Sequence, residues 1–61
     1  MQFKVPTIDS ESADELKEII LTSEPEANVE IDLESKIVTI DSKASAETFK
    51  ELIVAAGHKL D

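Results

Sequence analysis

The sequence predicts an α+β fold of the ferredoxin-like type, βαββαβ, with a four-stranded antiparallel sheet carrying both helices on one face. Three observations lead there. Two stretches, around residues 13–20 and 49–56, repeat apolar residues with a helical period. Between them lie two short runs rich in β-branched residues, 29–33 and 37–40, separated by a polar reversal. Short apolar segments at both ends supply the outer strands. With 61 residues, one domain spanning 1–61 is expected, and a chain of this size buries only about 60% of its unfolded surface.

Phe3 and Val5 alternate with Lys4, the pattern of a half-buried first strand, and Pro6 ends it because proline has no amide donor for a ladder. The polar loop Thr7-Ile8-Asp9-Ser10-Glu11 follows, with Ile8 its only apolar member. Ser12-Ala13-Asp14-Glu15 reads as a capping box, and Asp14 and Glu15 suit the positive end of a helix dipole. Ala13, Leu16, Ile19 and Ile20 then share one helical face until Glu24-Pro25 closes the helix. Val29, Ile31 and Leu33 alternate with Glu30, Asp32 and Glu34, which predicts a strand with one buried and one wet face. Residues 33–36 form the reversal and 37–40 the returning strand, with Val38 and Ile40 inward. Ser45 caps a second helix with Phe49, Leu52, Ile53 and Ala56 on one face. Gly57, the single glycine, takes the position that needs left-handed backbone. His58–Asp61 is expected as a short fourth strand. The predicted core is Phe3, Val5, Leu16, Ile20, Val29, Ile31, Val38, Ile40, Phe49, Leu52, Ile53 and Leu60.

Fourteen Asp and Glu against six Lys, with no Arg, give a net charge of -8. Such a chain repels phosphate backbones, so no nucleic acid is expected as partner. The 41% hydrophobic content is too high for a solvated acidic tail. No apolar run approaches the roughly eighteen residues of a membrane span, and the first residues lack a signal-peptide core. A folded cytoplasmic monomer with no membrane partner is the expectation. Zero cysteines exclude disulfides and thiolate metal sites.

Catalysis finds little support. There is no Cys, Tyr or Trp, one His, and no nucleophile elbow. Glu11, Asp14, Glu15 and Glu18 read as a solvated acidic helix face rather than a general acid–base pair. Asp9, Ser10, Glu11 and Asp14 offer oxygen ligands to a hard cation, but without the register of a calcium loop. His58 alone cannot form a transition-metal site. No enzyme activity is expected.

Taken together, Phe3-Lys4-Val5-Pro6, Ile31-Asp32-Leu33 with Lys36 and Val38, Ser42-Lys43-Ala44-Ser45 and Ala55-Ala56-Gly57-His58 resemble the heavy-metal-associated domain family. That family comprises small copper chaperones and the amino-terminal domains of metal-transporting P-type ATPases. The Ala-Gly-His ending and acidic surface are most similar to copper chaperones of the cyanobacterial type. The resemblance implies a Met-x-Cys-x-x-Cys metal loop binding Cu(I), or Zn, at the start of the first helix. Here Ile8 takes the Met position, Ser10 the first Cys and Ala13 the second. Serine is a hard, poorly ionised donor and alanine is none, whereas soft Cu(I) needs thiolate, thioether or imidazole.

The implied function is therefore a metallochaperone-like domain whose metal site is lost, with no cofactor expected in this chain. Docking to a metal-transporting P-type ATPase domain is expected through Ile8, Asp9, Glu11, Ser12, Asp14, Glu15 and His58. The acidic charge suits a basic partner, since complementary charge speeds encounter. The two replacements fit an engineered metal-dead variant and a divergent paralogue equally. The alternative is a regulatory or protein-interaction module, or a designed protein, on the same topology.

Overall fold

A computed structural model describes residues 1–61. Its elements are β1 (Gln2–Lys4), α1 (Ser10–Ser23), β2 (Asn28–Asp32), β3 (Ile37–Asp41) and α2 (Ala46–Ala55). The strands form one sheet in the order β1-β3-β2, both neighbours antiparallel. The register sets Phe3 and Ile31 opposite Val38, and Val29 opposite Ile40. Directly opposed residues point to the same face, so these side chains make one apolar surface beneath the helices. Gln2, Thr39 and Glu30 form a polar row on the other face.

The sheet has three strands rather than the expected four. Residues 58–61 run beside β1 but give it a single backbone bond, the Asp61 amide to the Lys4 carbonyl at 3.1 Å. The His58 and Lys59 amides are committed elsewhere. The His58 amide donates to the Ile53 carbonyl (3.2 Å) and the Gly57 amide to Val54 (2.9 Å), the paired bonds of a Schellman motif. Gly57 has φ 94°, the left-handed backbone its position requires. The Lys59 amide donates to Thr7 Oγ1 at 3.3 Å. With two of four amides spent on capping and on the loop, no ladder can propagate.

The first helix begins earlier than its sequence signal. Asp9 is the N-cap and Ser12 the reciprocal partner, so the capping box is Asp9–Ser12 and not Ser12–Glu15. The earlier start adds a turn that buries Ala13 with Leu16 and Ile20. The helix ends at Glu24 as expected, and α2 begins at Ser45, whose hydroxyl accepts from the Thr48 amide. In the 33–36 reversal the Asp32 carboxylate accepts from the Glu34 (3.0 Å) and Ser35 (3.3 Å) amides. Lys36 closes it at φ 62°.

Eleven apolar residues are buried. Eight of the predicted core positions are among them, while Phe3, Ile31, Leu52 and Leu60 pack against the core half-buried. Ala13, Ala27 and Ile8 complete the set. Ile8 differs most from its expected place: read as part of a docking loop, it is 1% exposed. The Ile8 amide donates to the Val5 carbonyl (3.1 Å), folding the loop back so that the side chain turns inward. No helix is long and apolar enough to cross a membrane.

Candidate functional site

The segment from Pro6 to Ala13 links β1 to α1, and three long-range contacts fasten it. Lys36, at the end of the hairpin reversal, donates through Nζ to the Ile8 carbonyl at 2.7 Å. Thr7 Oγ1 lies 2.8 Å from His58 Nδ1. Because that oxygen also accepts the Lys59 amide, its own proton is free to donate to the ring nitrogen. The loop is thus held by the hairpin on one side and by the segment after α2 on the other.

Ser10 is the first residue of α1 and is exposed; Ala13 lies one turn on and is 8% exposed. Residues three apart on a helix are surface neighbours, with Cβ atoms about 5–6 Å apart. The two positions that the family resemblance assigns to metal ligands are therefore adjacent, and their side chains are a hydroxyl and a methyl. The half-buried His58 has Nδ1 engaged with Thr7. No group of three or more His, Cys, Asp or Glu side chains is placed to hold a metal ion. This donor set does not fit soft Cu(I).

Glu11, Asp14 and Glu15 are exposed on the first turns of α1, and Ser12 is half-buried. Asp9 and Ser12 are tied into each other: the Asp9 carboxylate accepts the Ser12 amide (2.8 Å) and hydroxyl (2.9 Å), and Ser12 Oγ accepts the Asp9 amide (3.0 Å). Their polar atoms hold the helix start together. Thr7 and Lys36 are the fastening residues that sequence reasoning did not single out for the site. Thr7 carries no periodic or motif signal, and its role depends on residues more than fifty positions away.

The Ser12 amide, then the Ser12 hydroxyl, stabilise the Asp9 carboxylate and hold its pKa below the usual value of 3.8; the Glu11 amide and the Lys36 charge act the same way. Asp32 is lowered likewise, by the Ser35 and Glu34 amides of the reversal. For a depressed carboxylate the stabilisation is fully present above the unfolded-state value and is lost as pH falls through the folded-state value. Asp9→Asn, which keeps a capping oxygen, should melt close to the parent at neutral pH but lose less stability below pH 3.8. Thermal melts across that window check this; equal acid sensitivity of parent and variant would contradict it.

The architecture is that of a small ferredoxin-like domain, and solved copper-binding proteins share it. A trimeric form of a variant of the copper chaperone Atx1 from Synechocystis PCC6803 is 32% identical, with a TM-score of 0.94, covering 100% of this chain and 98% of that one. The solution structure of the cyanobacterial copper metallochaperone ScAtx1 is 35% identical, with a TM-score of 0.83, covering 100% and 97%. A gold binding protein is 26% identical, with a TM-score of 0.90, covering 100% and 98%. No family model matches the sequence. No curated protein matches it either. The chain belongs to the heavy-metal-associated domain family, in its copper-chaperone branch. Copper chaperones are carriers and not enzymes, in line with the sequence expectation.

Proposed function

We propose that residues 1–61 form one metallochaperone-type domain that has lost the thiolate site and retains the capacity to dock. The observation that carries this is the pair Ser10 and Ala13 at adjacent positions of the first helical turn of a copper-chaperone scaffold. The scaffold around the pair is intact: the loop is clasped by Lys36, Thr7 and His58, and the helix start is capped by Asp9. What is missing is chemistry, since neither side chain supplies a soft donor. The surface left for docking consists of Asp9, Glu11, Asp14 and Glu15 on the helix start, with Ser12 and His58 beside them. Ile8 supports that surface from beneath.

The partner proposed is a metal-transporting P-type ATPase domain with basic residues opposite this acidic face, met by a cytoplasmic monomer. Docking without cargo would occupy the transporter domain and withhold it from loaded chaperones. Competition against a chromophoric Cu(I) chelator tests the metal half of this reading. The chain should remove no Cu(I) at micromolar concentrations, and its circular dichroism spectrum and melting temperature should be the same with and without chelator. Binding tighter than micromolar, or loss of structure on chelation, would overturn the reading.

A further inference from the structure

The free edge of β2 carries an unfilled pairing site. The Ile40 amide donates to the Met1 carbonyl and the Val5 amide to Lys36, so alternate β3 residues, Lys36, Val38 and Ile40, turn their backbone groups toward β1. By the antiparallel alternation Ile37, Thr39 and Asp41 pair with Asp32, Glu30 and Asn28. The intervening residues of β2, Val29 and Ile31, therefore direct their amides and carbonyls away from the sheet. Beside this edge lies an open depression of about 980 Å³ that runs from Ala13 and Asp14 of α1 past Ile31 and Leu33 and over the outer face of the sheet to Thr39 and Gln2. Its lining is mixed, and part of its apolar surface is accessible: Ile31 is half-buried and Leu33 37% exposed.

We propose that this edge accepts an extended, basic segment of another protein as an added strand, with Lys or Arg alternating with aliphatic residues. Backbone pairing would be to Val29 and Ile31, and aliphatic side chains would seat against Ile31, Leu33 and Ala13 on the helix side. The cations, on the opposite face of the added strand, would meet Glu30 and Asp32, with Asp14 adding negative charge at the rim. Charge selects the occupant. The depression holds those three carboxylates against one cation, Lys17, in a chain of net charge -8. A second copy of β2 laid on the first would bring Glu30 and Asp32 of two strongly acidic molecules together, the arrangement by which natural edges resist self-pairing. The pairing groups belong to β2 and the proposal does not rest on the metal-trafficking reading, although its wall shares Ala13 with the ligand positions and Asp14 with the docking surface.

The test uses a synthetic peptide, Lys-Val-Lys-Ile-Lys-Val-Lys with blocked ends, added to the isotopically labelled chain. Binding should slow hydrogen exchange of the Val29 and Ile31 amides about tenfold or more at saturation, weaken with added salt, and fail for the peptide with Glu in place of Lys. Ile31→Pro removes an edge-facing donor while leaving β2–β3 pairing available, and should abolish binding. Should that variant unfold, Nα-methylation of the peptide at alternate residues replaces it. One methylated set should abolish binding and the other leave it nearly intact, because only alternate amides face the edge. The proposal is overturned if the two amides gain no protection, if the Glu peptide binds as well, or if both methylated sets bind equally.

Discussion

Placing cysteine at both ligand positions, Ser10→Cys with Ala13→Cys, should raise Cu(I) affinity at least about a thousandfold, from weaker than micromolar to nanomolar or tighter, roughly 4 kcal/mol. The geometry favours it. The two positions are one turn apart at the start of α1, Ser10 exposed and Ala13 at the edge of the core, close enough for their side chains to meet. A thiol at a helix N-terminus ionises more readily, and thiolate is the form that binds soft metal. The loop leading to them is already held by the 2.7 Å contact from Lys36 to the Ile8 carbonyl, so little ordering remains to oppose binding. Either cysteine alone should give a far smaller gain, since one thiolate cannot form the two-coordinate bridge. A chelator competition on the single and double variants reads this directly. A double variant that binds no tighter than the parent would mean that the first turn of α1 is not arranged as a metal claw.

Ile8→Ala should lower stability by about 2–5 kcal/mol, the range for removing a buried isoleucine side chain. Ile8 is among the larger fully buried side chains, 1% exposed and packed in the same cluster as Phe49, Leu16 and Ile20. Small domains hold only about 5–15 kcal/mol in total, so the melting temperature should fall by roughly 10–30 °C. Glu11→Ala, two residues into the same site on the exposed face, should leave melting nearly unchanged. The contrast separates a supporting residue from a docking residue. If Ile8→Ala melts like the parent, the loop does not fold back onto the core as the structure shows.

Much of the scaffold was legible because its signals are local. The helical stripes around Leu16 and Phe49, the alternation at Val29–Ile31, the cap at Ser45 and the left-handed Gly57 each depend on neighbours within a few positions, and each stands where expected. The strand, however, stops at Asp32, and both Leu33 and Ile19 are exposed rather than inward. The first helix starts ahead of its sequence signal because two acceptable caps compete. Ser12 and Glu15 satisfy the pattern, but Asp9 with Ser12 caps the helix one turn earlier, satisfying the Ser12 and Asp9 amides, and Ala13 is buried. The fourth strand failed for a different reason. Residues 58–61 lie beside β1, yet the helix cap and Thr7 compete for the His58 and Lys59 amides.

The candidate site divides the same way. Absence of a soft ligand at positions 10 and 13 is a matter of residue identity, visible without coordinates. The inward turn of Ile8, the Lys36 clasp and the Thr7–His58 contact are not. Ile8 stands alone among polar residues, where periodicity has nothing to work with, and its burial follows from a loop that doubles back under a hairpin 28 residues away.

By itself, then, the sequence determined the order of helices and strands, most of the core and the lack of thiolate chemistry, because these rest on residue type and short-range spacing. Only the tertiary structure decided that the sheet stops at three strands, that the loop is clasped rather than free, and that β2 keeps an unpaired edge. Those features depend on which distant donors meet which acceptors once the chain has closed. Each backbone amide can serve one principal partner, and that competition is settled only in three dimensions.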